Sequence, residues 1–183
     1  MEAHTAAGKL QGLAGDAPWY EAAFVVGVTN ALNVAADGLT AALPPLSDAD
    51  AGPEACAVFD DVRSFYGGAD VPAPLRVIAR DPAYLADVFA AIRRAFADRC
   101  LTRRHKEALA FAVSLTTRSA FGLGFHLTEL RRLGVSERGI VEIVGVAQMF
   151  SSYTKIADTL QLESDMAHIA PTDMSGVPEA DGE

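Results

Sequence analysis

Glu107 and His126 have the chemistry for proton transfer and a spacing that could bring them together. In Ser119-Ala120-Phe121-Gly122-Leu123-Gly124-Phe125-His126, residues Ser119, Gly122 and His126 fall at i, i+3 and i+7, on one face of a helix. Glu107 lies on the preceding predicted helix, and a short break near Thr117-Arg118 would fold it back beside that face. A carboxylate beside an imidazole orients the ring and raises its basicity, a common general acid/base pairing. In this scheme His126 is the acid/base, Glu107 its orienting partner or a second base, and Ser119 a hydroxyl donor toward the substrate. Arg118 would anchor a carboxylate, and Phe121 and Phe125, at i and i+4, would form an apolar wall. Gly122 and Gly124 each cost a helix roughly 1 kcal/mol relative to Ala, so close packing or room for a ligand should compensate.

Each residue also has a plainer use. His126 could be a satisfied core side chain, and Glu107 could pair with Arg103 or Arg104 on its own helix. Ser119 could cap a helix start, and Arg118 could face solvent or a helix C-terminus. Metal binding through His126, Glu107 and His105 is disfavoured, because His105 and Glu107 are two apart on a helix and point in different directions. No metal and no cofactor is expected.

The elements that must position these residues read as helices. Apolar residues recur at intervals of three and four, and no useful period-two run appears. Asp16 and Asp81 stand just before prolines, Gly52-Pro53-Glu54 opens a helix, Thr102 caps another, and Ser136-Glu137 starts the last. Gly67-Gly68 and Gly134 mark ends. The expected helices lie near 4–12, 18–42, 53–66, 73–80, 82–98, 102–117, 119–133 and 136–161. The prolines of 43–50 make that stretch a loop, and residues 167–183 read as a flexible acidic tail after a single all-α domain over 1–166. Ala22–Val28 and much of Ile140–Phe150 are apolar on every side, so both should be buried centrally or in a subunit interface. A homo-oligomer, a dimer, trimer or hexamer, is therefore expected.

The two ends also resemble each other. His4 matches His126 and Gly12 matches Gly134 at an offset of 122 (126 − 4, 134 − 12). Glu21 matches Glu142, and Ala36-Asp37-x-Leu39 matches Ala157-Asp158-x-Leu160, at an offset of 121 (142 − 21, 157 − 36). This predicts two pseudo-symmetric helix pairs, with residues 4–42 as the first half-repeat.

Composition sets outer limits. The chain has 183 residues, 50% of them hydrophobic, a net charge of −9 and two cysteines. That length can bury a core without disulfides, and Cys56 and Cys100 show no metal or redox spacing. The acidic balance excludes a general nucleic-acid binder. The charge is uneven: Arg93, Arg94, Arg99, Arg103, Arg104 and Lys106 crowd the middle, while 163–183 has no Lys or Arg. The start lacks signal-peptide order, and the apolar stretch Ala22–Ala36 reads as too short and too polar to span a bilayer. The expectation is a cytoplasmic protein with a small-molecule ligand and no nucleic-acid or membrane partner.

Residues 101–160 resemble the core of the carboxymuconolactone decarboxylase and alkylhydroperoxidase D superfamily. That core has a Glu early in one helix, Cys-x-x-Cys-x-x-x-His on the next, a Gly-Val-Ser turn and a long final helix. Glu107 and His126 stand at the Glu and His positions, and Leu133-Gly134-Val135-Ser136 matches the turn. The lead-in Phe59–Gly67 and Val71–Pro82 also looks like the longer members, so the likeness covers about 55–162. It implies an all-α helical bundle with an internal helix-pair repeat. Where the redox members carry Cys-x-x-Cys, this chain has Ser119-Ala120-Phe121-Gly122, so thiol peroxidase activity does not carry over. The decarboxylase branch also lacks those cysteines and keeps the His. The resemblance thus implies a cofactor-free acid/base enzyme acting on a small carboxylate or carbonyl metabolite. The alternative is a non-catalytic oligomeric binding or structural protein on the same scaffold.

Overall fold

A computed structural model describes residues 15–68 and 70–162. The predicted helix 4–12, His4, Gly12 and the tail at 167–183 lie outside the described residues. Seven helices follow in order: α1 (Ala17–Ala42), α2 (Pro53–Phe65), α3 (Ala73–Ile78), α4 (Pro82–Phe96), α5 (Arg103–Thr117), α6 (Ala120–Arg132) and α7 (Glu137–Leu160). No strand occurs among the described residues, so the fold is all-α, as the periodicity predicts.

Four of the starts are built as their sequences indicate. The side chains of Asp81, Thr102, Ser119 and Ser136 accept the backbone N–H of Tyr84, His105, Gly122 and Gly139, each satisfying one of the donors a helix start leaves orphaned. Asp16 occupies the N-cap of α1 without a side-chain capping bond. Gly134 ends α6 with φ +74°, the left-handed conformation that glycine adopts without a Cβ clash.

Helix α5 is central and packs against α1, α4, α6 and α7. The apolar core gathers Val25 of α1 with Phe59 and Val62 of α2, Leu75 and Ile78 of α3, Leu85, Phe89 and Ile92 of α4, and Ala110 of α5. Lys106, fully buried on α5, ties α1 to the loop before it. Its Nζ lies 3.1 Å from Glu21 Oε2 and donates to the Ala97 carbonyl at 2.5 Å. Burial pushes the Glu21 carboxyl up. The N–H groups of Leu101 and Cys100 and the Lys106 ammonium outweigh that and hold it below the ordinary carboxylate value.

Two expectations change here. The first concerns the bilayer reading made on Ala22–Ala36: α1 forms over 17–42 as expected, and across its 26 residues it is by length and composition long and apolar enough to cross a membrane. Its Val25, Thr29, Asn33 and Ala36 are nevertheless buried against the bundle. The second concerns α7, which has no buried residue within the protomer, so of the two settings expected for its apolar stretch the central one is not found. The repeat partners also differ in setting, since Glu142 pairs with exposed Arg138 rather than with a buried lysine.

Candidate functional site

The α5–α6 hairpin turns on Arg118, which sits at φ 60° and ψ 30° at the C-cap of α5. Ser119 follows, fully buried, with its Oγ accepting the Gly122 N–H at 3.1 Å. Gly122 is needed for packing. A Cβ there would come within 3.0 Å of both Asn33 Oδ1 on α1 and Ser114 Oγ on α5. Through that gap Asn33 Nδ2 donates to Ser114 Oγ at 3.1 Å and to Thr117 Oγ1 at 3.0 Å. Three helices are thereby clamped where the hairpin begins.

Held this way, the hairpin brings His126 Nδ1 to 2.7 Å from Glu107 Oε2. Both side chains are buried; Glu107 is 0% exposed and His126 6%. An ionised carboxylate can only accept, so Nδ1–H donates and the lone pair lies on Nε2. Nε2 has no hydrogen-bond partner among the described residues. The ring stacks on Phe96 at 5.9 Å and 17°, and meets Phe125 edge-on at 5.3 Å.

The other Glu107 oxygen, Oε1, accepts from Arg103 Nε at 2.6 Å. That guanidinium also reaches Glu129 Oε2 at 3.4 Å, and Glu129 accepts two bonds from Arg132 at 3.0 and 2.7 Å. Three rings enclose the Arg103 guanidinium: Phe65 at 4.7 Å, Phe96 at 5.1 Å and Tyr66 at 5.3 Å. Two carboxylates and two guanidiniums cancel, so the cluster is neutral when His126 is neutral. Burial pushes the Tyr66 phenol well up, Arg103 opposes that, and Glu107 and Glu129 add to it, so the ring stays protonated.

His126 lines a cavity of about 50 Å³ together with Leu32, Asn33, Ile92, Phe96 and Phe121. Tyr66, Pro72, Phe121 and Phe125 form a wall shared with a more open outer pocket of about 480 Å³, which also has Asp70, Thr128 and Glu129 on its lining. A groove of about 670 Å³ lies elsewhere, between α1, α5 and α7, and includes Trp19, Cys100, His105 and Glu142. His126 does not line it.

The site residues inferred from the sequence therefore divide. Glu107, His126, Phe121 and Phe125 come together at the inner cavity or beside it. Ser119 is committed to capping α6 and does not line that cavity. Gly122 is filled against Asn33 and Ser114, so it leaves no room for a ligand. Arg118 is exposed at the hairpin turn and lines neither the cavity nor the outer pocket, which corrects the expectation of a carboxylate anchor. The cysteines are free. Cys56 is half-buried against the carbonyls of Asp48 and Ala51, and Cys100 is exposed. Among the described residues no group of three His, Cys, Asp or Glu side chains could hold a metal ion.

Sequence reasoning passed over Glu129 and the aromatic enclosure of Arg103. The i, i+4 spacing of Arg103 and Glu107 was a visible signal; Phe65 and Phe96 lie on other helices and Tyr66 just past the end of α2, and they gave none.

Comparison with known proteins agrees with this architecture. The model of the carboxymuconolactone decarboxylase family matches residues 82–162, the segment that carries α4 to α7 and both Glu107 and His126. The crystal structure of the alkylhydroperoxidase AhpD core from Rhodospirillum rubrum superposes with a TM-score of 0.66 at 23% identity, covering 71% of this chain and 98% of that one. No curated protein matches the sequence significantly.

Proposed function

We propose that this chain, whose residues 82–162 match the model of the carboxymuconolactone decarboxylase family and whose fold resembles the alkylhydroperoxidase AhpD core, is a cofactor-free acid/base enzyme acting on a small carbonyl- or carboxylate-bearing metabolite. The observation that carries this is the 2.7 Å contact between Glu107 Oε2 and His126 Nδ1, on a ring that lines a cavity and has no partner at Nε2. Nε2 takes a proton from the substrate, and the imidazolium so formed is stabilised by the Glu107 carboxylate at Nδ1. The same nitrogen then returns the proton to the product. Decarboxylation and lactone isomerisation both have room for such a step. Thiol peroxidase activity is not expected, since Ser119 and Gly122 stand where the redox members carry cysteines.

A second reading, a non-catalytic oligomeric binding protein, draws support from the small size of the inner cavity and its aromatic walls. Deuterium incorporation separates the two. Small ketones, lactones and carboxylic acids are incubated with the protein in D₂O, and exchange at carbon is followed by NMR. Incorporation that needs the wild-type protein and disappears in His126→Ala supports the enzyme. An unchanged rate in His126→Ala overturns the assignment of the base. We also propose a homo-oligomer, because Val141, Val146, Phe150, Tyr153 and Ile156 of α7 stand more than half exposed in the protomer.

A further inference from the structure

The space beside His126 is small for any metabolite. The inner cavity of about 50 Å³ has room for little more than a water, whose share of liquid volume is roughly 30 Å³. The outer pocket, at about 480 Å³, falls within the roughly 300–1,000 Å³ usual for small-molecule sites. A compound held there faces His126 across the wall that both spaces share, Tyr66, Pro72, Phe121 and Phe125.

Three of these four are held in place. Tyr66 is buried and packs on Phe65 at 5.0 Å, on Phe125 at 5.2 Å and on the Arg103 guanidinium at 5.3 Å. Pro72 is the N-cap of α3, and its own ring fixes φ. Phe125 is wedged among Tyr66, His126 and Phe121. Phe121 differs. It is half-buried on the first turn of α6, and among the described residues its aromatic contact is with Phe125 alone, at 5.7 Å.

Gly124, three residues further along α6 and on the outer lining, gives that ring somewhere to go. Helical side chains lean toward the helix N-terminus, so a side chain at position 124 would lie over the turn that carries Phe121. A Cβ there would meet nothing within 4 Å, whereas the space at Gly122 is taken by Asn33 and Ser114.

We propose that Phe121 is the gate of the His126 site and sets the size of what reaches it. Its ring swings about χ1 into the space over Gly124 and joins the outer pocket to the inner cavity. The two χ1 settings common for long side chains in helices are the closed and open positions. This rests on His126 as the centre of the proposed function and adds the residue that limits access to it.

Diethyl pyrocarbonate acylates an unprotonated imidazole nitrogen and is too large for the inner cavity, so it reads access without turnover. The full chain is treated at about pH 7.5, where an ordinary imidazole is mostly unprotonated. Acylation is followed site by site by peptide mass spectrometry, with exposed His105 as the internal reference. An open state populated at about 0.1–10% limits the wild-type rate, so Phe121→Ala should raise it at His126 roughly tenfold or more and leave His105 unchanged. Gly124→Leu fills the space on an exposed turn and should lower the His126 rate roughly threefold or more. Leu32→Ala, which enlarges the inner cavity without touching the wall, should change it by less than about twofold. An unchanged rate in Phe121→Ala overturns the gate, as does a rate in Leu32→Ala as high as in Phe121→Ala. If Phe121→Ala melts out, Gly124→Leu decides, and an unchanged rate there overturns the gate too. Gated acylation with no deuterium exchange on any compound supports the gate while ending the catalytic reading, and exchange with ungated acylation does the reverse.

Discussion

Helices α5 and α7 lie side by side and invert the usual rule of burial in opposite ways. Helix α5 buries Lys106, Glu107 and Ser114, while α7 leaves Val141, Phe150 and Tyr153 exposed. The charges on α5 are tolerated because each has a partner: Lys106 has Glu21 and a carbonyl, and Glu107 has Arg103 and His126. Buried charges without partners would cost several kcal/mol each. The outer face of α7, with Val141, Phe150 and Tyr153, is left uncovered by the described residues. Polar atoms lie where burial is expensive and apolar atoms where they are wet, and each arrangement needs its own reason. On the proposed function the reason on α5 is proton transfer, and the proposed homo-oligomer would cover α7.

Breaking the α5 side should have the largest effect. Glu107→Ala leaves Arg103 enclosed by three rings and His126 without its acceptor, and should cost about 3–5 kcal/mol by denaturant unfolding. Loss of less than about 1 kcal/mol would mean that the cluster is looser than its distances indicate. Gly122→Ala comes next. Its Cβ would push into Asn33 and Ser114, for about 1–3 kcal/mol and a matching fall in melting temperature. Ser119→Ala removes one cap and should cost about 1 kcal/mol, with solvent-exchange activity retained. Loss of that activity at unchanged stability would restore the hydroxyl to a direct role. The smallest change in protomer stability, within about 0.5 kcal/mol, is expected for Phe150→Ser on α7. Sedimentation should nonetheless show a lower mass than the wild type; an unchanged mass would remove this face from the interface.

Local signals made the helices and most of their starts readable, because caps, prolines and glycines act within one turn. The meeting of Glu107 with His126 was legible too, since one hairpin joins them and Thr117-Arg118 marks the turn. Residues brought in from a distance were not. Nothing near Gly122 announces Asn33, which lies on α1, and nothing near Arg103 announces Phe65 or Tyr66. Arg118 misled for a related reason. Its charge suggested an anchor, but it is exposed at the left-handed C-cap of α5 and lines neither the cavity nor the outer pocket. The apolar run 140–150 was visible in the sequence, but sequence alone does not separate a central helix from one that waits for a partner.

The central claim is that Glu107 holds His126 with its proton on Nδ1 and a free base on Nε2. Nitrogen-15 NMR of the labelled imidazole near neutral pH reads this directly, because the two neutral tautomers have opposite shift patterns. The Nδ1–H form is expected in the wild type, with that preference reduced or lost in Glu107→Gln. A wild-type ring protonated on Nε2, or a tautomer indifferent to Glu107→Gln, would contradict the claim.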